Sequence, residues 1–430
     1  MRNIRRGVWL ATALFVAMLL VLVGCGSNSN SGNNNTGNPN PGSSNNGGNN
    51  SGGNNSGGNS GGNNSGGNNS GGNNSGGGTS TAPQYLYAGS LDKGVQGFRI
   101  DGASGALTLL PNSPFGGALE PNSLVADPAQ KFLYVGIGQQ PAVRGSNCSD
   151  TPGELHSFTI DTSGQLAPLE QIKLDAYCVQ DVTMDPTGQN LYVFAMKQDG
   201  SDALIYGYSV DANTGKLTQL SDSPYTFTGT NVVRAVMSPD GKFIYTVIAG
   251  SVNGIMVLGR SSSGTLSQVA VHPFTTDIPV DDIGLVAGGK YLVSTHAQDA
   301  STGTVRVWSV DQNSGDITMV HNLSGDKFTG TTNVLADRTG QWVFLSLFAG
   351  GINVFKVEAD GNLTFTSNAP NSTMTLNMVI DTTNHFVYAR NNENSIAGFS
   401  FDPSSGKLTP LAGSPFASPS QMLGGVVVKK

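Results

Sequence analysis

The chain has 430 residues, of which 59 are glycine and only 12% are charged, and its formal net charge is −7. Lys and Arg are scattered without a basic run, so no nucleic-acid partner is expected, since phosphate neutralisation needs a concentrated cationic face. Three cysteines without a tight spacing give no zinc signal, and no sequence pattern calls for a metal or a cofactor.

Residues 1–25 open with Arg2, Arg5 and Arg6 and continue as an apolar run of roughly sixteen residues, a secretory signal too short for a comfortable membrane span. The run ends Leu22-Val23-Gly24-Cys25, which fits a lipobox with Cys25 as the lipidated residue. An ordinary signal with a chance cysteine is the competing reading, but a Gly/Asn/Ser tail follows at once. Residues 26–83, built on NNSGG repeats, have almost nothing to bury and read as a disordered tether with a reach of roughly 40 Å. Loss of the signal leaves 19 basic against 29 acidic side chains, a net charge of −10. The sequence thus predicts an exported protein, lipid-anchored to the cell or outer membrane, with its folded part in the periplasm or outside the cell.

From residue 84 the chain repeats itself. GFRIDGASGALTLLPNSPF (97–115) returns as GFSFDPSSGKLTPLAGSPF (398–416), with eleven of nineteen positions identical. Five further copies lie between, and Phe98, Phe158, Tyr208, Leu258, Trp308, Phe355 and Phe399 mark the aligned position, 44 to 60 residues apart. A second unit alternates with the first: an apolar run, a turn of D-P-x-G type, then a β-branched and aromatic run, as in DVTMDPTGQNLYVF (181–194). Each period therefore holds four short strands: a before the D-P turn, b after it, c in the GF-x-x-D segment and d in the L-T-x-L segment. Helical periodicity is absent. Seven such units over residues 84–430 predict an all-β, seven-bladed β-propeller of four-stranded antiparallel blades. QYLYAGS (84–90) lacks a strand a, and the C-terminal SQMLGGVVVKK lacks a strand b, so the two ends should pair and close the ring. The closed ring is expected to work as a monomer.

Strand order puts the a–b and c–d turns on one face and the longer, more varied b–c and d–a loops on the other. Binding usually collects on such loops. Cys148 and Cys178 both fall on the variable face of neighbouring strands, and an exported chain permits a disulfide between them; two free thiols are the alternative. Four residues before each turn position, strand a carries a polar residue: Ser123, Asp181, Arg234, Asp282, Asn333 and Asn377. Strand a is innermost in a propeller, so these should ring the mouth of the central channel. They suit a small polar ligand, and they equally suit channel water. His296, at the end of a strand b, is a candidate acid–base group.

The D-P-x-G-K-x-L-Y-V and G-F-x-I-D-x-x-S-G-x-L-T repeats resemble those of the lactonase-type seven-bladed propellers, typified by bacterial 6-phosphogluconolactonase. The resemblance spans residues 84–430 and implies hydrolysis of a lactone at the channel mouth. It carries over poorly to the catalytic residues: Arg234 stands where the family has a histidine, and Ala249 where it has a glutamate. A guanidinium can polarise a carbonyl or hold a carboxylate but cannot act as a general base. Asp181 or Asp282 would then have to activate water. Export argues against a phosphorylated cytoplasmic lactone and toward a plain sugar-acid lactone. The alternative is a non-catalytic propeller that presents its variable face to a surface protein or glycan.

Overall fold

The computed structural model describes residues 82–430, apart from 91, 118, 139–150, 275–279, 298–300, 372 and 392–393. The chain divides into units 1–75 and 76–430, and all described residues belong to the second. Cys25, the tether up to Thr81 and Cys148 lie outside them.

Seven antiparallel sheets follow one another along the chain, each built outward from strand a through b and c to d. The inner strands are Pro121–Ala126, Cys178–Met184, Thr230–Met237, Asp282–Val286, Thr331–Ala336 and Thr375–Ile380, in blades 2 to 7. Met422–Lys429 supplies the inner strand of blade 1, pairing antiparallel with Gln84–Ser90 from Gln84↔Lys429 to Ser90↔Met422. Each inner strand packs against the one before and the one after, which makes a closed seven-bladed ring with strand a lining the axis.

Apolar burial is concentrated between blades rather than within them. One hydrophobic cluster sits at each of the seven blade interfaces; Phe132, Tyr134 and Leu155 of blade 2, for example, pack on Val179, Val182 and Leu191 of blade 3. Strand b is consequently buried on both sides, and Phe132–Ile137 is buried at every position. This explains why strand b reads as a continuous apolar run, whereas an outer strand such as Leu266–Pro273 is largely exposed.

The repeated turn residues have local jobs. Asp127 accepts the backbone N–H of Phe132 at 2.6 Å, Asp337 that of Trp342 at 2.9 Å, and Asp381 that of Phe386 at 2.8 Å. Ser238 does the same for Phe243 at 3.0 Å. Blade 5 has Val286 at this position, and a 3-10 turn at Ala287–Gly289 replaces the motif. The glycine of the c–d turn reaches the neighbouring blade: Tyr87, Tyr134, Tyr192 and Tyr388 donate to the carbonyls of Gly164, Gly215, Gly264 and Gly105. At Gly406, φ is 70° and an added Cβ would lie 2.1 Å from the Trp342 ring, so both backbone angle and space require glycine.

Blades 3 and 7 depart from the four-strand plan. Their outer edge is split into two short strands, Leu217–Gln219 with Tyr225–Thr228 and Lys407–Pro410 with Phe416–Ala417, each pair hydrogen-bonded to one strand c. The Ser-Pro bonds at Ser113, Ser223 and Ser414 are cis, and each serine Oγ accepts a strand-c glycine N–H at 2.9 Å. The shared S-P-F ending of the two long repeats is this crossing of the outer edge in blades 1 and 7.

Candidate functional site: a polar belt at the channel mouth

The six polar residues expected on strand a come together. Ser123, Asp181, Arg234, Asp282, Asn333 and Asn377 all line one cavity of about 250 Å³ on the axis, with Gly424 and Gly425 filling the seventh place on blade 1. The bulge that follows the first residues of most inner strands turns these side chains inward.

They form a belt that runs from blade to blade. The Ser123 hydroxyl donates to Asp181 Oδ1 at 2.6 Å and accepts the N–H of Val182 at 3.1 Å. Asp181 Oδ2 accepts the N–H of Ala235 on blade 4 at 2.9 Å. Asp282 Oδ2 accepts the N–H of Val334 on blade 6 at 3.0 Å, and Asn333 Oδ1 that of Asn377 on blade 7 at 3.2 Å. Asn377 donates from Nδ2 to the carbonyl of Leu423 on blade 1. An acceptor on one blade thus takes a backbone N–H of the next.

Arg234 interrupts the pattern, because a guanidinium accepts nothing. Its Nε donates to Asp282 Oδ1 at 3.0 Å and its Nη2 to Asn377 Oδ1 at 3.4 Å. Asp282 then turns back on its own strand and accepts the N–H of Ile283 at 3.0 Å, and its Oδ2 also accepts Asn333 Nδ2 at 3.1 Å. Both Asp282 oxygens are therefore fully engaged, and Asp282 is a holder of Arg234 rather than a base. The neighbouring Asp282 carboxylate raises the Arg234 pKa further, so the cation is permanent. Asp181 is different: burial pushes its pKa up, against the pull of Arg234 and of its hydrogen bonds. Oδ2 of Asp181 keeps one acceptor site.

Toward the variable face a second chamber of about 210 Å³ shares Asn122, Arg234 and Asn377 with the first and adds Gln180, Asp281 and Arg390. Sequence reasoning missed Gln180 and Arg390. Gln180 precedes a marked position by one residue, and Arg390 lies on strand b, where no repeat singles it out.

His296 stands apart from both chambers. It is fully buried, its Nε2 shares a 2.9 Å hydrogen bond with Ser294, and its ring meets Phe274 edge-on at 5.0 Å. The expectation of an acid–base histidine on the variable face gives way to a core residue, held where blade 4 meets blade 5. Cys178 is buried and disulfide-bonded.

The fold defines a seven-bladed β-propeller with a polar cavity on its axis. The family model for lactonase, seven-bladed β-propeller, matches residues 202–329 and 302–423, and the chain belongs to that family. A 6-phosphogluconolactonase of Serratia proteamaculans is 24% identical over 270 residues, 60% of this chain and 73% of that protein. Among solved structures, a periplasmic gluconolactonase of Pseudomonas aeruginosa superposes with a TM-score of 0.67 at 19% identity, covering 81% of this chain and 99% of its own. A protein from Lactobacillus plantarum gives 0.65 at 18% identity, covering 81% and 100%.

Proposed function

We propose that this chain is an exported, lipid-anchored lactonase that opens sugar-acid lactones at the channel mouth. The observation that carries the reading is the pairing of Arg234 with Asp181 in one cavity: a fixed cation with unspent N–H donors beside a carboxylate whose pKa burial raises. Asp181 takes a proton from water as the hydroxide adds to the lactone carbonyl carbon. The outer guanidinium N–H groups of Arg234 receive the charge that develops on the carbonyl oxygen. The ring C–O bond then breaks, its oxygen takes the proton back from Asp181, and the acid so formed releases its proton to solvent and rests as a carboxylate against Arg234. Burial makes Asp181 a stronger base than an ordinary carboxylate, which favours the proton transfer. The gluconolactonase and 6-phosphogluconolactonase relatives support the reaction class.

Proton release by the full-length protein on a panel of five- and six-membered sugar lactones, after subtraction of spontaneous hydrolysis, tests the reading. Asp181→Asn should lower kcat by about a hundredfold or more, and Arg234→Gln by a similar factor. Absence of turnover on every lactone, from protein shown to be folded, would sink it. Metabolic labelling with a lipid precursor checks the anchor, and Cys25→Ser should abolish incorporation.

One observation favours a second reading. Asp282 has no acceptor left, and the family's histidine is Arg234, so the same site suits the holding of an acid without turnover. Under that reading the variable face binds a ligand, a surface protein or a glycan, and the lactone panel gives no signal while the free acids bind.

A further inference from the structure

The outer chamber contains a cation that the reaction does not use. Arg390 is the penultimate residue of strand b of blade 7, Phe386–Asn391, and its Nη2 donates to Gln421 Oε1 at 2.9 Å. Its Nε is buried without a hydrogen-bond acceptor among the described residues. Burial lowers its pKa, and no carboxylate among the described residues counters this. An unpaired guanidinium in such a place is costly unless something anionic arrives to meet it. Across the chamber Gln180 is 8% exposed, and its Nε2 is buried with no acceptor. The terminal torsion of Gln is soft, so a small turn presents that amide to the chamber. The one acid in the wall among the described residues, Asp281, directs Oδ2 to the N–H of Ala297 at 2.7 Å. Arg234 joins this chamber to the belt below, so a molecule held at Arg390 reaches the reacting centre.

We infer that Arg390 and Gln180 form an anion subsite, and that the ligand is a sugar lactone bearing a free carboxylate at the end remote from the lactone carbonyl. The substrate side of this statement rests on the lactonase reading; the anion subsite does not. A planar carboxylate matches the fork of a guanidinium, and the chamber has room for one such group beside the ring. Arg390 is a specificity residue: it holds the remote end and takes no part in bond making.

The test compares glucarolactone, which has the second carboxylate, with gluconolactone, its uncharged counterpart, on the full-length protein. Wild type should prefer glucarolactone by about tenfold or more in kcat/KM. Arg390→Gln should remove that preference through KM and leave gluconolactone turnover within about twofold. Arg390→Lys should recover part of the preference, which separates a lost charge from a damaged fold. Equal rates on the two lactones in wild type, or an equal fall on both in Arg390→Gln, would overturn the subsite while leaving the lactonase standing. Should no lactone turn over, calorimetric titration with glucarate decides. Binding lost in Arg390→Gln upholds the anion subsite without the hydrolase, and no binding in wild type refutes it. Stronger competition by 6-phosphogluconate than by glucarate would assign the site to a phosphate and overturn the carboxylate.

Discussion

Asp181 and Asp185 lie four residues apart at the inner edge of blade 3, both almost fully buried, and they do opposite kinds of work. Asp185 and its counterparts Asp127, Asp337 and Asp381 are turn residues. Their oxygens take N–H groups two to five residues further along the same chain, as Asp337 does from Thr339 at 3.1 Å and Trp342 at 2.9 Å. Asp181 takes one of its partners from blade 2 and another from blade 4. A carboxylate whose backbone partners are all local can be repeated by copying a short motif, even where a side chain of the next blade is added, as Gln84 is at Asp381. One whose partners come from other blades is copied less readily: the belt uses Ser, Asp, Arg and Asn, whereas the turns keep Asp in four blades, with Ser238 and Val286 in two others. The irregular end of the strand is also where unspent donors accumulate.

The strongest way to break this contrast is at Arg234. Arg234→Met should cost about 3 kcal/mol of unfolding free energy, because it leaves buried Asp282 without its cation, and urea denaturation measures it. A cost below about 1 kcal/mol would mean that the belt is ornamental to the fold. On the turn face, Asp381→Ala should cost about 2 kcal/mol, since it strands several backbone N–H groups and unties Gln84, whose amide donates to Asp381 Oδ2 at 3.0 Å. Gly406→Ala should cost about 2 kcal/mol through its φ and the Trp342 ring. Gly413→Ala serves as its control: φ is 80° but the nearest atom to an added Cβ is 3.8 Å away, so only the smaller backbone term of about 1 kcal/mol applies.

The smallest effect is the most discriminating. The pKa of Asp381 is held below the ordinary 3.8 by its hydrogen bonds, which outweigh burial. Its stabilisation is present above 3.8 and is lost as the pH falls through the lower folded value. The pKa of Asp181 is raised above 3.8 by burial, so its cost is present above the folded value and is relieved as the pH falls through it toward 3.8. Thermal scans of wild type beside Asp381→Asn and Asp181→Asn, from pH 7 to pH 3, should show the wild-type advantage shrinking on acidification in the first pair. In the second pair the balance should move toward wild type. Parallel slopes would erase the distinction between the two kinds of aspartate.

This contrast also explains what could be read from the sequence. The blades, the closure and the inward register of Ser123 through Asn377 were legible because each depends on partners at fixed, short spacing, repeated around the ring. His296 was not, since its burial depends on Phe274 from the neighbouring blade, and nothing in the local sequence shows that contact. Arg390 was invisible for the same reason: its importance comes from a chamber whose other walls include blades 1 to 5. The split outer edges of blades 3 and 7 left a trace in the S-P-Y and S-P-F endings, which a closer reading of the repeats would have separated from strand d.

The strand Met422–Lys429 joins the beginning of the folded chain to its end, with Gln84 and Lys429 paired across 345 residues of sequence. Blade 1 therefore stays unfinished until the last residues emerge, and a product truncated before Met422 would carry an open edge at Gln84–Ser90. Intact copies nearby would hold the missing strand, and an exchange of that segment between molecules would link them in pairs or chains. Retention of this closing strand thus doubles as protection against polymerisation.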